Sequence, residues 1–311
     1  MTCHNCRSEC RRFGKRGDRQ RYQCRQCRKV FTDASDATLD GMYLPLDRAE
    51  MVLKLLLEGN SVSSVVRLTN VHQKTVLKLL VLAGERCASV MGRYIRNVPV
   101  EDVEMDEVWS FIGKKQKRLR PSDDQNLGDC YTFVAIERNT KLVLNIAMGK
   151  RDQATTDVFV EGVRHATAGE FQVTTDGFAP YKTAIPNTLE DRADYAMLIK
   201  VYRAPAEGQR RYSPAEVESV EVVPVMGRPD PDRICTSIVE RSNLSLRMGQ
   251  RRFTRLTNAF SKKWENHWAA VSLWYGFYNF CRIHKSLRVT PAMAAGITDH
   301  VWDVRELLEA A

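Results

Sequence analysis

Two Cys-x-x-Cys pairs, Cys3-His4-Asn5-Cys6 and Cys24-Arg25-Gln26-Cys27, constrain the start of this chain more than any other feature. Each pair offers two thiolates from one tight turn. The 17 residues between Cys6 and Cys24 match the spacing of a four-thiolate zinc site. About 30 residues cannot bury enough apolar surface to fold alone, so the metal would supply the folding free energy. The expected module is a zinc ribbon over 1–32, with one structural zinc on Cys3, Cys6, Cys24 and Cys27. Arg12–Gly17 reads as a turn between the pairs, and Tyr22–Cys24 and Val30–Phe31 as short strands. Cys10 and His4 read as bystanders. The other four of the nine cysteines, Cys87, Cys130, Cys235 and Cys281, lie far apart, and no disulfide framework is expected.

The same stretch is strongly basic. Residues 1–30 hold ten Lys and Arg against two acids, a net +8, while the whole chain carries +9. A charge block of this kind is an electrostatic footprint for nucleic acid; the bland alternative is a solubilising surface. Arg11, Arg12, Lys15 and Arg16 are the candidate DNA contacts of the ribbon. No apolar run reaches membrane-spanning length and the N-terminus has no signal-peptide core, so a cytoplasmic protein with no membrane partner is expected.

Residues 33–45 are small and polar and read as a linker. Residues 46–95 read as three helices: Leu46–Leu57 with an apolar stripe, Ser61–Leu68 with Ser61 as N-cap, and His72–Ala83. Short helix, tight turn and polar-fronted helix make a helix-turn-helix pattern, with Gln73, Lys74, Thr75 and Lys78 facing DNA. The competing reading is a helical bundle that only connects domains.

Residues 100–290 change character. Val103–Ile112 reads as a strand, and Asp106 and Glu107 stand in its middle. Neighbours on a strand point to opposite faces, so only one of the two serves a given site. Asp106 shares its side with Val108 and Ile112; Glu107 reads as its supporting or salt-bridged neighbour. Lys114, Lys115, Lys117 and Arg118 open a run of five basic residues in seven. Two more strands, a helix over 155–166, a strand at Phe171–Thr175 ended by Asp176-Gly177, and a strand at Tyr195–Val201 follow. Three strands, helix, strand, helix, strand is the order of a ribonuclease-H-like fold with a mixed five-stranded sheet. In that order the fourth strand lies beside the first, which would bring Asp176 near Asp106. Residues 204–233, with five prolines, read as an irregular connector or insertion. A helix over 235–246 carries Glu240, with Arg247 seven residues on and on the same face. From Arg241 to Lys263 there are seven basic residues and no acid, among them Arg251, Arg252 and Arg255. An aromatic-rich helix over 260–281 reads as core. His267 and His284 touch DNA or pack, with neither favoured. Residues 291–311 read as a tail with a short helix at 304–310.

Asp106, Asp176 and Glu240 are then a candidate trio. Hard divalent cations take oxygen ligands, and two ions on shared carboxylates can activate an attacking hydroxyl and stabilise a leaving oxygen. Among 38 acidic residues many such trios exist. Resemblance adds what spacing cannot. Cys3–Phe31, Asp106–Lys115, Thr175-Asp176-Gly177, Glu240–Asn258 and Tyr278–Pro291 together resemble the transposases of the bacterial insertion sequence one family, within the Asp-Asp-Glu transposase and integrase group. The resemblance spans nearly the whole chain. It implies Asp106, Asp176 and Glu240 as catalytic ligands of two magnesium or manganese ions, with Arg247 as the basic residue that follows the glutamate. It implies recognition of terminal inverted repeats by the ribbon and the helix-turn-helix, strand cleavage at each end, and joining of the 3′-hydroxyls to target DNA. The location it implies is the bacterial nucleoid. Two ends must be brought together, so a dimer or larger assembly is expected. Ribbon and catalytic domain share one chain, so a full-length active form is expected. Two other readings compete: a zinc-ribbon and helix-turn-helix repressor without catalysis, and a structure-selective nuclease of the ribonuclease-H-like class.

Overall fold

The computed structural model describes residues 2–3, 6–16, 19–32, 39, 42–202, 217–254 and 258–310, and the chain divides into two units, residues 1–50 and 51–311. In the first unit β1 (Cys10–Arg16), β2 (Arg19–Cys24) and β3 (Val30–Thr32) form an antiparallel sheet in that order. Tyr22 stacks on Phe31 across β2 and β3, with ring centres 6.4 Å apart. Arg12–Arg16 is strand rather than the expected turn. Gly14, at φ +73°, sits in a bulge between Arg12 and Lys15 that lets β1 continue, and Arg16 still pairs with Arg19. Gly17 and most of the expected 33–45 linker lie outside the described residues.

The helical stretch begins with α1 (Leu46–Leu57) and α2 (Val62–Thr69). Ser61 caps α2 by accepting from the Ser64 N–H at 3.1 Å, as expected, and Asn70 closes it at φ +53°. The next helix, α3, runs from Gln73 to Tyr94, well past the expected end at Ala83.

The larger unit is built on a six-stranded sheet. A two-residue strand β4 (Val98–Pro99) precedes the meander β5 (Asp102–Ile112), β6 (Gly128–Glu137) and β7 (Val143–Gly149). Helix α4 (Gln153–Ala166) leads through β8 (Thr167–Ala168), which pairs with β4, to β9 (Phe171–Thr175). Then come α5 (Tyr181–Leu189), β10 (Ala193–Tyr202) and β11 (Val217–Met226). The sheet order is β11-β10-β9-β5-β6-β7. β9 returns to lie parallel beside β5, with Thr175 opposite Met105, which is the adjacency the element order implied. The sixth strand corrects the expected five. Five prolines suggested an irregular connector, but Val217–Met226 holds five β-branched valines and pairs antiparallel with β10. Pro224 is tolerated because β11 is an edge strand.

Helices α6 (Ser237–Gly249) and α7 (Trp264–Phe280) face one side of the sheet, and α4 and α5 the other; α8 (Pro291–Ala294) and α9 (Val304–Glu309) follow. The length of α3 has a packing reason. Its second half lies along α7, where Gly84 faces the Ala269 backbone and Cys87 faces Gly276. The α2–α3 pair is therefore tied to α7 through the second half of α3. A Cβ on Gly84 would come 2.4 Å from the Ala269 Cα. Gly84→Ala gains about 1 kcal/mol of helix propensity but meets overpacking of up to about 3 kcal/mol against backbone. We expect a lower thermal midpoint, read by calorimetry; an unchanged or raised midpoint would refute this contact. Among the described residues no helix is long and apolar enough to cross a membrane.

Candidate active site

Strand parity and the parallel crossover create an acidic site. Glu104 and Asp106 point to the α6 side of β5, and Glu107 to the α5 side. β9 ends at Thr175, so Asp176 emerges beside Asp106 and Glu107. Asp106, Glu107 and Asp176 each bring a carboxylate oxygen within 4.8 Å of the other two.

Each member is held. The Asp106 Oδ2 accepts from Asn243 Nδ2 at 2.8 Å, and its Oδ1 from the Glu107 N–H at 2.8 Å. The Asp176 Oδ1 accepts from the Phe178 N–H at 2.9 Å. Arg151 bridges the other side: Nε donates to Glu107 Oε2 at 3.2 Å and Nη2 to Asp176 Oδ2 at 3.4 Å. Its guanidinium lies 4.1 Å from the Phe178 ring centre. Burial pushes Asp106 up to about 6. Burial, then the charge of Asp176, push Glu107 up to about 7.

The trio expected from sequence is brought together only in part. Glu240 is outside the 4.8 Å group; its Oε1 is engaged by Lys200 Nζ of β10 and accepts from Thr236 Oγ1 at 2.7 Å. Its charge is nonetheless felt at Asp106. Glu107, expected as a supporting neighbour, is salt-bridged to Arg151 and also belongs to the group. Arg247 is exposed two turns beyond Glu240. Sequence reasoning missed Glu104, Arg151, Lys200 and Asn243. Glu104 Oε2 accepts from the N–H groups of Ile238 and Val239 at 2.8 and 2.9 Å, which fixes the start of α6 over β5. Its position two residues before Asp106 on one strand face was a usable signal, as was Asn243 one turn after Glu240. Nothing in the sequence marked Arg151 or Lys200.

The site suits a hard cation. Its donors are all carboxylate oxygens, held within 4.8 Å of one another. The titration has a definite sign. The folded, metal-free protein holds protons on Asp106 and Glu107 that the unfolded chain has released, so these groups cost stability as pH rises from about 4 to about 7. A cation on the carboxylates removes that cost. Added magnesium or manganese is expected to raise the thermal midpoint at pH 8 clearly more than at pH 5. Equal shifts at both values would count against a cation on this group.

In the N-terminal unit Cys3, Cys6, Cys24 and Cys27 bring their sulfurs within 4.8 Å of one another, the geometry expected of a four-thiolate site. Cys10 is outside that set and its thiol donates to the Ser8 carbonyl. Hydrogen bonds from Ser8, the backbone one first, pull Cys6 down to about 6.

Most proposed DNA contacts lie where DNA can reach them. Arg11, Arg12, Lys15 and Arg16 are exposed on β1. Gln73, Lys74 and Lys78 are exposed and Thr75 half-buried on α3. Lys115, Lys117 and Arg118 are exposed, whereas Lys114 is paired with Asp123 at 2.6 Å. Arg251 is exposed, and Arg255 lies outside the described residues. Arg252 is half-buried: its Nη1 donates to Ser261 Oγ and the Asn266 carbonyl, and burial brings it down to about 10. His267 is core, with Nε2 2.9 Å from Ser110 Oγ and Nδ1 2.8 Å from Ser261 Oγ, and burial takes it down to about 3. His284 Nδ1 lies 2.9 Å from Ser286 Oγ.

No family model and no curated protein matches this chain. Among solved structures it is similar to the piggyBac transposase synaptic complex with hairpin DNA, at 11% identity over 89% of this chain and 72% of that one, with a TM-score of 0.39. It is also similar to the Mos1 transposase paired-end complex with left transposon end, at 13% identity over 53% of this chain and 62% of that one, with a TM-score of 0.23. At these scores the likenesses carry no argument, and the reading of this chain rests on its own residues.

Proposed function

We propose that this protein is a DNA transposase of the Asp-Asp-Glu group, which cuts the ends of a mobile element and joins them to target DNA. The observation that carries this is the meeting of Asp106 and Asp176 at adjacent parallel strand positions, across a crossover, beneath the helix that bears Glu240. Asp106, Asp176 and Glu240 would hold magnesium or manganese, with Glu107 beside them. Bound there, two such ions supply charge stabilisation to both the attacking and the leaving oxygen of phosphoryl transfer. The protein's own part is placement. Asn243 and the Glu107 N–H orient Asp106; the Phe178 N–H orients Asp176; Glu104 seats α6. For Glu240 to join the group it must exchange Lys200 for the cation. The zinc ribbon and the α2–α3 pair would read the terminal inverted repeats, and the exposed lysines and arginines would grip phosphates, with affinity falling steeply as salt rises. Joining two ends calls for a dimer or larger assembly on DNA.

The test is incubation of the full chain with magnesium or manganese, target plasmid and a duplex of the inverted repeats that flank the gene. Nicking at the repeat end followed by joined product is expected. Cutting without joining would replace this reading with a nuclease, and specific binding without cutting with a repressor.

A further inference from the structure

Beyond the carboxylates, the same face of β5 carries aromatic rings. Glu107, Trp109 and Phe111 alternate onto one side, about 7 Å apart per step. The helical layer stops at Glu107: opposite it on β6, Phe133 is buried against Phe159 of α4. One step further, Trp109 is 41% exposed in a strand that is otherwise largely buried. The Trp109 and Phe111 ring centres are 5.9 Å apart, and Phe111 rests on Phe260 at 4.7 Å. The segment bearing Phe260 is anchored, because the Gly113 N–H donates to the Ser261 carbonyl at 2.8 Å and Ser261 Oγ meets the buried His267. Lys115 Nζ stands 5.9 Å from the Phe111 ring centre, within the basic run 114–120.

Resting on the DNA-cutting reading above, we propose that Trp109, backed by Phe111 and Phe260, is a stacking platform for an unpaired DNA base beside the carboxylate group. An aromatic face bordered by lysines on one side and carboxylates on the other suits a ligand with both a flat apolar ring and a phosphate. An apolar protein segment would satisfy the rings but offer nothing to the exposed Lys115 ammonium. A base inside a duplex has both faces covered by its neighbours, whereas an unpaired one offers Trp109 a free face. The placement also answers a steric problem. The Glu107 side chain is only 2% exposed while that of Asp176 is 39% exposed, so the Glu107 end of the group is recessed, and a strand parted at the cut reaches it more readily than an intact duplex. Stacking the freed base would hold that parted state.

The experiment is fluorescence anisotropy of a labelled twelve-residue oligothymidylate with the full chain, without metal, across a salt series. Trp109→Leu keeps the apolar bulk and loses the π face; Trp109→Tyr keeps the face. Trp109→Leu is expected to weaken oligothymidylate binding roughly fivefold to a hundredfold with the salt slope unchanged, and Trp109→Tyr by less than about threefold. Binding of a blunt, fully paired duplex should not change. Lys115→Ala should make the salt slope shallower by about one unit at most. The proposal is overturned if wild type does not bind the oligothymidylate, if Trp109→Leu binds it as wild type does, or if Trp109→Leu loses duplex binding equally. Asp106→Asn, measured alongside, separates the two ideas. If the wild type neither cuts nor joins yet Trp109 governs oligothymidylate binding, the platform stands and the transposase reading fails. If Asp106→Asn abolishes cutting while Trp109→Leu binds normally, the reverse holds.

Discussion

Asp106→Asn leaves the chain folded and bound to its DNA but lowers strand cleavage by a hundredfold to a thousandfold or more. The magnitude follows from removing charge stabilisation at the reacting phosphate, where a single preorganised group is worth that much in other phosphoryl and acyl transfers. The substitution is nearly isosteric, but its single amide oxygen can keep only one of the two acceptor contacts, that to Asn243 Nδ2 or that to the Glu107 N–H. It also removes a carboxylate that burial penalises. Metal-free Asp106→Asn is therefore expected to melt higher than wild type at pH 8 while being inactive, a pairing that simple misfolding cannot produce. Asp176→Asn and Glu240→Gln should lose cleavage as steeply. Glu107→Gln is the informative companion. Held by Arg151 and placed beside the two aspartates, it should lose about tenfold to a hundredfold as a residue that orients the ligands. Cleavage of repeat-end DNA with manganese measures all four. Full activity in Glu240→Gln, with a steep loss in Glu107→Gln, would transfer the third ligand position from α6 to β5. Lys200→Ala tests the same point from the other side, since freeing Glu240 from its lysine should tighten manganese binding rather than weaken it.

Stripping zinc, or Cys24→Ser, is expected to dissolve the three-stranded unit and cut specific affinity for the terminal repeats at least tenfold, leaving weak, salt-sensitive binding. Cys24 is fully buried, and its sulfur accepts the Cys27 N–H at 3.4 Å while lying 3.4 Å from the Cys6 sulfur. Among the described residues of the three-stranded sheet, Tyr22 stacks on Phe31 and β1 is exposed along nearly its whole length. Metal coordination by the four thiolates would therefore supply a folding free energy that so small a core cannot. With Cys6 drawn down to about 6 by Ser8, that thiolate is available at neutral pH, so zinc should stay bound into mildly acidic buffer. A zinc indicator with a chelator titration, run beside repeat-binding anisotropy, follows both quantities. Undiminished specific affinity after verified zinc loss would remove the ribbon from DNA reading.

The sequence by itself determined whatever depends on near neighbours. Two Cys-x-x-Cys turns bring Cys3, Cys6, Cys24 and Cys27 into one cluster of sulfurs. The stripe of α1, the Ser61 cap of α2 and the alternation that turns Asp106 and Glu107 to opposite faces of β5 are likewise local, and the structure has each of them. The order of elements was enough to set β9 beside β5. Tertiary structure decided which side chains meet. Glu107 joins Asp176 because β9 ends at Thr175, opposite Met105, so Asp176 emerges beside Asp106 and Glu107, and strand parity alone cannot show that. Glu240 is drawn to Lys200 because β10 extends past β9 to meet α6. Arg252 turns to Ser261 and Asn266 because they offer it acceptors, although its sequence surroundings are as basic as any DNA-binding run. α3 continues to Tyr94 because Gly84 and Cys87 find flat partners on α7. Spacing and periodicity report torsions and faces within one element. Distances between elements are set by close packing and by where buried charges find partners, and both are properties of the assembled fold.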